Sequence, residues 1–110
     1  MDVIKVATEI EKKIHLLEYG RSDLEGKAKA MADAMGQYDK TIAIAILKHK
    51  EAGKLPATLI EKIARGDCSY ELVAMELAKA EYKLSIQKLL CVQAEMNGLQ
   101  SINRHLETTA

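Results

Sequence analysis

Apolar residues recur at alternating steps of four and three from position 3 to position 49, the heptad spacing of a coiled coil. Only Arg21 and His49 interrupt this apolar stripe. The members of the stripe are Val3, Ala7, Ile10, Ile14, Leu17, Leu24, Ala28, Met31, Met35, Tyr38, Ile42 and Ala45. The pattern predicts one long helix over about residues 3–52.

Two features bear on the continuity and the end of this first helix. Ser22 with Glu25 three residues later has the spacing of a capping box, so a break near Gly20 is the alternative to one continuous helix. The apolar stripe keeps its phase across Gly20, which lies off the stripe, and this favours continuity. Lys50 followed by Gly53 has the order of residues that is typical of a helix end.

The connection after the first helix contains the single proline of the chain, Pro56. Thr58 with Glu61 repeats the capping-box spacing, and we predict a short helix over about residues 58–65 that Gly66 ends. One side of this helix is apolar. The residues on that side are Leu59, Ile60 and Ile63.

The run from residue 41 to residue 47 is apolar on every side, and we expect it to be helical and buried all round. This burial requires a second covering element besides the other long helix. The apolar side of the short helix is the expected cover.

A second long helix is predicted over about residues 68–107, with Asp67 or Ser69 as its N-cap. Its main stripe is interrupted by Ser85 and Asn103. The apolar members of that stripe are Met75, Ala78, Tyr82, Leu89, Val92, Met96, Leu99 and Leu106.

A second apolar row lies on another face of this last helix. The second row comprises Tyr70, Val73, Leu77, Ala80, Leu84 and Cys91. One apolar face can pair with the first helix, but the other requires a further partner. All members of the second row except Ala80 form the candidate oligomer interface.

The two long patterns have similar lengths, and a short connection joins them, which predicts an antiparallel helical hairpin. The fold class is therefore all-α: a long, coiled-coil-like hairpin with a short helix at the connection, in a single domain over residues 1–110. Two helices alone leave about half of their apolar surface exposed, so we expect a homo-oligomer to complete the core.

Composition narrows the classes of function. Sixteen basic residues balance sixteen acidic residues, so no global field attracts nucleic acid or an anionic membrane. No apolar run has the length of a membrane span, and Cys68 and Cys91 are widely separated in sequence. We expect a cytoplasmic protein without membrane association, in which both cysteines act as small apolar residues.

The residues that carry chemistry form no catalytic or metal motif. His15, His49 and His105 are single and widely spaced, without a second ligand at helical spacing. No nucleophile elbow and no phosphate-binding glycine loop is present in the sequence. We therefore expect no enzyme activity, no metal and no cofactor.

The one local concentration of charge surrounds the connection, and it is the candidate contact surface. This basic cluster comprises Lys48, Lys50, Lys54, Lys62 and Arg65. Such side chains can contact phosphates, and Arg65 can hold a carboxylate or a phosphate with two hydrogen bonds. The alternative is that the lysines serve the helix macrodipole and that Arg65 forms an ion pair with Asp67.

Four runs in the central region of the sequence, at residues 38–47, 51–53, 56–60 and 63–67, carry a resemblance that extends to about residue 90. These runs resemble a group of small uncharacterised helical proteins of phages and prophages. The most specific part of the resemblance is Ala64-Arg65-Gly66. Proteins of this group are often encoded in the early region, beside recombination and replication genes, and the resemblance supplies no biochemical activity. A phage-encoded chain would work in the cytoplasm of the host cell.

Three functions remain open at this point. The first is a non-catalytic accessory protein that self-associates and binds another macromolecule, most directly a protein, including a host factor or defence system that it inhibits. The second is a nucleic-acid-binding accessory protein of phage replication or recombination that uses the basic cluster. The third is an oligomeric sponge for a charged small molecule such as a signalling nucleotide, with Arg65 or Arg21 at a subunit interface; a ligand-dependent rise in melting temperature would favour it.

Overall fold

The structure, a computed structural model, describes residues 2–109 and contains three helices in this range. They are α1 (Val3–Ala52), α2 (Ala57–Asp67) and α3 (Ser69–Thr109). The long helices α1 and α3 pack against each other as a hairpin, with α2 in the connection, and this confirms the predicted all-α helical hairpin. The outermost residues of the predicted domain, Met1 and Ala110, lie outside the described range.

Helix α1 is continuous through Gly20, so the alternative of a break there is wrong. Asp2 precedes the helix, and its Oδ1 accepts a hydrogen bond from the backbone N–H of Lys5 at 2.9 Å, which caps the first turn. At the other end Gly53 has a φ of 64°, and its N–H donates to the carbonyl oxygen of His49 at 3.2 Å. Glycine adopts this left-handed conformation without steric cost, so Gly53 ends the helix as predicted.

The contacts within the chain group the described residues into two compact units. Unit 1 takes its residues from Met1–Gly26 and Lys83–Ala110, and unit 2 comprises Lys27–Tyr82. Each unit contains part of α1 and part of α3, and unit 2 also contains α2.

In unit 1 the antiparallel contact between α1 and α3 is visible in three residue pairs. Lys13 forms an ion pair with Glu95. A Cβ atom built on Gly20 would lie 2.5 Å from Cδ2 of Leu89, so Leu89 packs directly on the glycine backbone. The third pair is polar: Ser85 Oγ donates a hydrogen bond to Asp23 Oδ2 at 2.8 Å.

The buried face of α1 overlaps the predicted stripe and is rotated slightly from it. Val3, Ala7, Ile14 and Met35 of the stripe are exposed, Leu17 and Tyr38 are buried, and the other six members are half-buried. The rotation brings positions that looked polar or small into the helix contact. These positions include Lys13, Gly20, Lys27 and Ala34.

The rotation has a physical cause in the residues that face α3. The lysine stems lie along apolar surface while their charged ends reach Glu95 from Lys13 and Glu81 from Lys27, the latter at 3.6 Å. Gly20 admits the side chain of Leu89 at a distance that no larger residue permits without a shift. Gly20, which lies off the predicted stripe, is therefore part of the helix contact. On α3, by contrast, every position of the predicted main stripe is buried or half-buried, including Ser85 and Asn103.

The core of unit 2 lies around Cys68, the residue between α2 and α3. Cys68 packs with Tyr38 from α1 and Met75 from α3. Half-buried side chains that surround these three are Ala34, Ile42, Ala45 and Leu72. Helix α2 contributes two further buried residues to the unit, Ile60 and Ala64.

Helix α2 differs from its prediction at both ends. Pro56 is the N-cap, with extended backbone angles, and no side chain makes the capping hydrogen bond, so Thr58 is not a cap. Gly66 does not end the helix, which continues to Asp67. The backbone N–H of Cys68 donates to the carbonyl oxygens of residues 64 and 65 and satisfies the last turn.

The expected burial of residues 41–47 on all sides is also wrong. Ile44 and Leu47 are exposed, and Leu59 of α2 is exposed as well. Of the other two residues on the predicted apolar side of α2, Ile60 is buried and Ile63 is half-buried, and Ala64 of the same helix is buried as well.

Neither predicted N-cap of α3 acts as one. Helix α3 already begins at Ser69, and Asp67 belongs to α2. The carboxylate of Asp67 lies 2.6 Å from Nε2 of His49, so it connects the last turn of α1 to the end of α2. No helix within residues 2–109 is long and apolar enough to cross a membrane.

Candidate interaction surfaces

The second row of α3 is exposed along its whole length. In unit 2, Tyr70 is 82% exposed and Val73 is 65% exposed, and Leu77 is exposed as well. In unit 1, Leu84 and Cys91 are exposed. Because these positions follow the heptad spacing, they lie along one side of the helix, and none of them carries a charge.

Unit 1 contains a groove of about 600 Å³ between α1 and α3, which we call the Tyr19 groove. Leu16 and Tyr19 line it from α1, and Leu84 and Cys91 line it from α3. Leu16 and Tyr19 were not identified in the sequence, because they lie off the main stripe. The signal that points to them is a pair of large apolar residues three positions apart on a face that is otherwise charged.

The floor of the Tyr19 groove is formed by the close contact of the two helices. Gly20 and Leu89 contribute apolar surface, and the hydrogen bond between Ser85 and Asp23 contributes a polar pair. Ser85 is 3% exposed, and its hydroxyl donates to Asp23, so the polar group in this helix contact is satisfied. Asp23 accepts through Oδ2, and no described residue donates to its Oδ1.

A second groove of about 580 Å³ lies further along the same two helices of unit 1. Its apolar lining comes from Ile4, Leu99 and Ile102, and the ion pair between Lys13 and Glu95 borders it. Both grooves of unit 1 are thus apolar surfaces with a few charged residues at their edges.

All five members of the basic cluster lie in unit 2 and are exposed. None of them forms an ion pair within residues 2–109, whereas Lys13, Lys27 and Lys79 each pair with a glutamate. The ion pair that the sequence suggested for Arg65 with Asp67 is not formed, since the carboxylate of Asp67 faces His49. Arg21, the other arginine of the small-molecule hypothesis, is exposed on α1 in unit 1.

The two cysteines differ in their surroundings, and neither is in a disulfide. Cys68 is buried, and the burial raises the pKa of its thiol, with a further rise from the carboxylates of Glu71 and Asp67. A neutral thiol is a poor nucleophile, so Cys68 is a packing residue at neutral pH. Cys91 is exposed at the edge of the Tyr19 groove.

The predicted site residues thus fall on two kinds of surface: apolar positions along α3 and free cations around α2. His15, His49 and His105 are not brought together, and no group of three or more His, Cys, Asp or Glu in the described part of the chain is placed to hold a metal ion. Comparisons with protein-family models, with curated proteins and with solved structures returned no match to this chain. The surfaces themselves are therefore the basis for a functional proposal.

Proposed function

We propose that this chain is a non-catalytic helical protein that works by self-association and by binding another macromolecule, most directly a protein. The proposal includes action in the early programme of a phage, in the cytoplasm of the host, and the resemblance to small phage proteins supports this part of it. Inhibition of a host factor or of a defence system is one form that the binding would take. The exposed second row of α3 carries the proposal.

An uncharged row of large side chains on a helix is costly to leave in water. Burying one Leu or Val side chain contributes roughly 1.5–3 kcal/mol, and Leu77 and Leu84 are each half-exposed or more in the single chain. A heptad row is also the form in which one helix presents itself to another. The row therefore favours a helical partner.

The accessible surface of the chain supports self-association. The chain exposes 8009 Å², whereas a folded monomer of its mass of 12.2 kDa exposes roughly 6,100 Å². The excess of about 1,900 Å² is more than twice the roughly 800 Å² that each partner buries in a standard interface. The exposed area is therefore sufficient for an interface of standard size with a second copy.

Charges introduced into the second row should dissociate the oligomer. The double variant Leu77→Lys and Leu84→Lys places two cations in the row, and we expect at least about tenfold weaker self-association because a charge buried in the interface costs about 1.4 kcal/mol or more. Size-exclusion chromatography with light scattering at micromolar concentration measures the change in mass. The control is Lys83→Gln, which alters an exposed residue of the same helix outside the row. An unchanged mass for the double variant would refute the role of the row.

A second function is favoured by the basic cluster, whose five cations have no anionic partner within the described residues. Free cations at one end of a unit are suited to the phosphates of DNA or RNA, and no aromatic residue is interleaved with them for base stacking. Binding through this cluster would be electrostatic and independent of sequence. This is the nucleic-acid-binding accessory function, and we place it second because the net charge of the chain is zero.

Salt dependence tests the second function directly. If all five cations contact phosphates, the logarithm of the DNA affinity should fall with the logarithm of salt concentration with a slope of about −4 to −5. Reversal of two charges, Lys62→Glu with Arg65→Glu, should remove about two units of that slope. The matched control reverses Lys29 and Lys83, which are exposed outside the cluster. Equal losses in both variants, or no retention at low salt, would exclude the cluster as the binding site.

A further inference from the structure

The Tyr19 groove in unit 1 differs from the rest of the exposed apolar surface because it is concave. Its volume of about 600 Å³ is bordered by α1 on one side and by α3 on the other. A groove between two packed helices is a recess that side chains projecting from another helix can fill. From this geometry we infer that the Tyr19 groove is the docking site for a second copy of this chain.

The face of unit 1 that contains the Tyr19 groove also carries side chains that would fill the same groove of a second copy. Tyr19 is 73% exposed and Leu84 is 50% exposed, so both project from the rim of the groove. A two-fold symmetric interface uses one surface patch twice, and such a patch must contain both projections and recesses. The Tyr19 groove meets this requirement, whereas Tyr70, Val73 and Leu77 of unit 2 line neither groove of the described residues.

The charges of the groove also fit a second copy. The groove contains one anion, Asp23 on α1, and one cation, Lys88 on α3. A two-fold axis parallel to the helices sets α1 of one copy against α3 of the other, so Lys88 of each copy approaches Asp23 of the partner copy. Because only Oδ2 of Asp23 accepts the hydrogen bond from Ser85, Oδ1 remains available to such a lysine.

This inference rests on the proposed self-association and assigns it to one part of the second row. Leu84 and Cys91 would contact the second copy, together with Leu16 and Tyr19 of α1. The remaining members of the row, Tyr70, Val73, Leu77 and Ala80, would then stay available for the other macromolecule. The excess surface of the chain is large enough for both contacts.

Two matched single variants separate this assignment from the general proposal. Leu84→Lys lies in the Tyr19 groove and Leu77→Lys lies outside it, one heptad earlier on the same helix. Sedimentation equilibrium at micromolar concentration should show at least about tenfold weaker self-association for Leu84→Lys and less than about twofold change for Leu77→Lys. The reverse order would overturn the assignment and leave the proposed self-association intact, whereas a monomeric wild type would overturn both.

The thiol of Cys91 provides a second measurement on the unmodified chain. Cys91 lies at the edge of the groove, so a docked copy should slow its alkylation by about tenfold when nine in ten chains are associated, and dilution should restore the rate. Cys68 is 1% exposed and serves as the internal control, slow at every concentration. Equal Cys91 rates in monomer and oligomer would contradict the inference. Slow alkylation of Cys91 in a chain that stays monomeric at every concentration would also contradict the inference, since something other than a second copy would then shield the thiol.

Discussion

Replacement of Met75 by alanine should lower the free energy of unfolding by about 2–4 kcal/mol. Met75 is 8% exposed and packs with Tyr38 and Cys68 in the core of unit 2. The shorter side chain loses the transfer free energy of the buried thioether and leaves a cavity among neighbours on separate helices. Since a domain of this size is stabilised by roughly 5–15 kcal/mol in total, the change is large.

The measurement for Met75→Ala is denaturant unfolding followed by circular dichroism, with all proteins at one concentration because association adds to apparent stability. The control is Leu47→Ala, which removes a large side chain from an exposed position of α1 in the same unit. We expect a change within about 0.5 kcal/mol for the control. Equal effects of the two variants would mean that the cluster around Cys68 is not the core of unit 2.

The second large effect is expected at Ala64, which is 0% exposed on the inner side of α2. Ala64→Asp places a carboxylate where neither water nor a partner can reach it, at a cost of about 3–5 kcal/mol. The buried face of α2 then no longer packs, so amide hydrogen exchange should accelerate across Ala57–Asp67 before the rest of unit 2 is affected.

Ala57→Asp is the matched control for Ala64→Asp because it introduces the same charge into the same helix. Ala57 is exposed in the first turn of α2, where a carboxylate interacts favourably with the helix dipole by about 0.3–1 kcal/mol. The control should therefore be neutral or slightly stabilising. If Ala64→Asp were as stable as Ala57→Asp, the packing of α2 through Ala64 would be wrong.

The secondary structure and the pairing of the long helices followed from the heptad spacing. The heptad spacing correctly predicts the buried face of α3, including the polar positions Ser85 and Asn103. The other members of this stripe are mostly large apolar residues, and they determine which face of the helix is buried. On α1 the heptad spacing permits two adjacent faces, and the buried surface takes residues from both. Eight of the twelve members of the predicted stripe are buried or half-buried, and Lys13, Gly20 and Lys27 of the adjacent face are half-buried beside them. The position of the buried surface of α1 depends on Lys13, Lys27 and Gly20. Each of these residue types is unusual in a core, so the sequence alone does not assign them to one.

The partners of those residues explain why the sequence was not sufficient. Lys13 and Lys27 reach Glu95 and Glu81, about eighty and fifty residues away along the chain, and no local pattern reveals such pairs. Gly20 is recognisable as a contact residue only beside Leu89. The three-dimensional contact, and not the propensity of each residue, decides which side of α1 is buried.

The predicted ends of α2 differ from the observed ends because they rest on residue types, whereas backbone geometry and hydrogen bonds decide where the helix begins and ends. Thr58 and Glu61 have the capping-box spacing, but the fixed φ of Pro56 already starts the helix one residue earlier. Gly66 predicts the end of the helix at that residue. The helix continues to Asp67, and the N–H of Cys68 donates to carbonyl oxygens of its last turn. Helix ends are decided by such hydrogen bonds more than by residue type.

The candidate surfaces were partly visible in the sequence. The second row of α3 was identified from its spacing, and the structure places it on an exposed face. The Tyr19 groove was not identified, because Leu16 and Tyr19 of α1 combine with Leu84 and Cys91 only after the two helices have paired. A surface that two distant segments form together has no signature in either segment.

The most direct test of the account is the mass of the wild-type chain in solution. Sedimentation equilibrium across a micromolar concentration series should give an average mass that rises with concentration to at least twice the 12.2 kDa of one chain. A folded chain that remains at the mass of one copy throughout the series would contradict self-association.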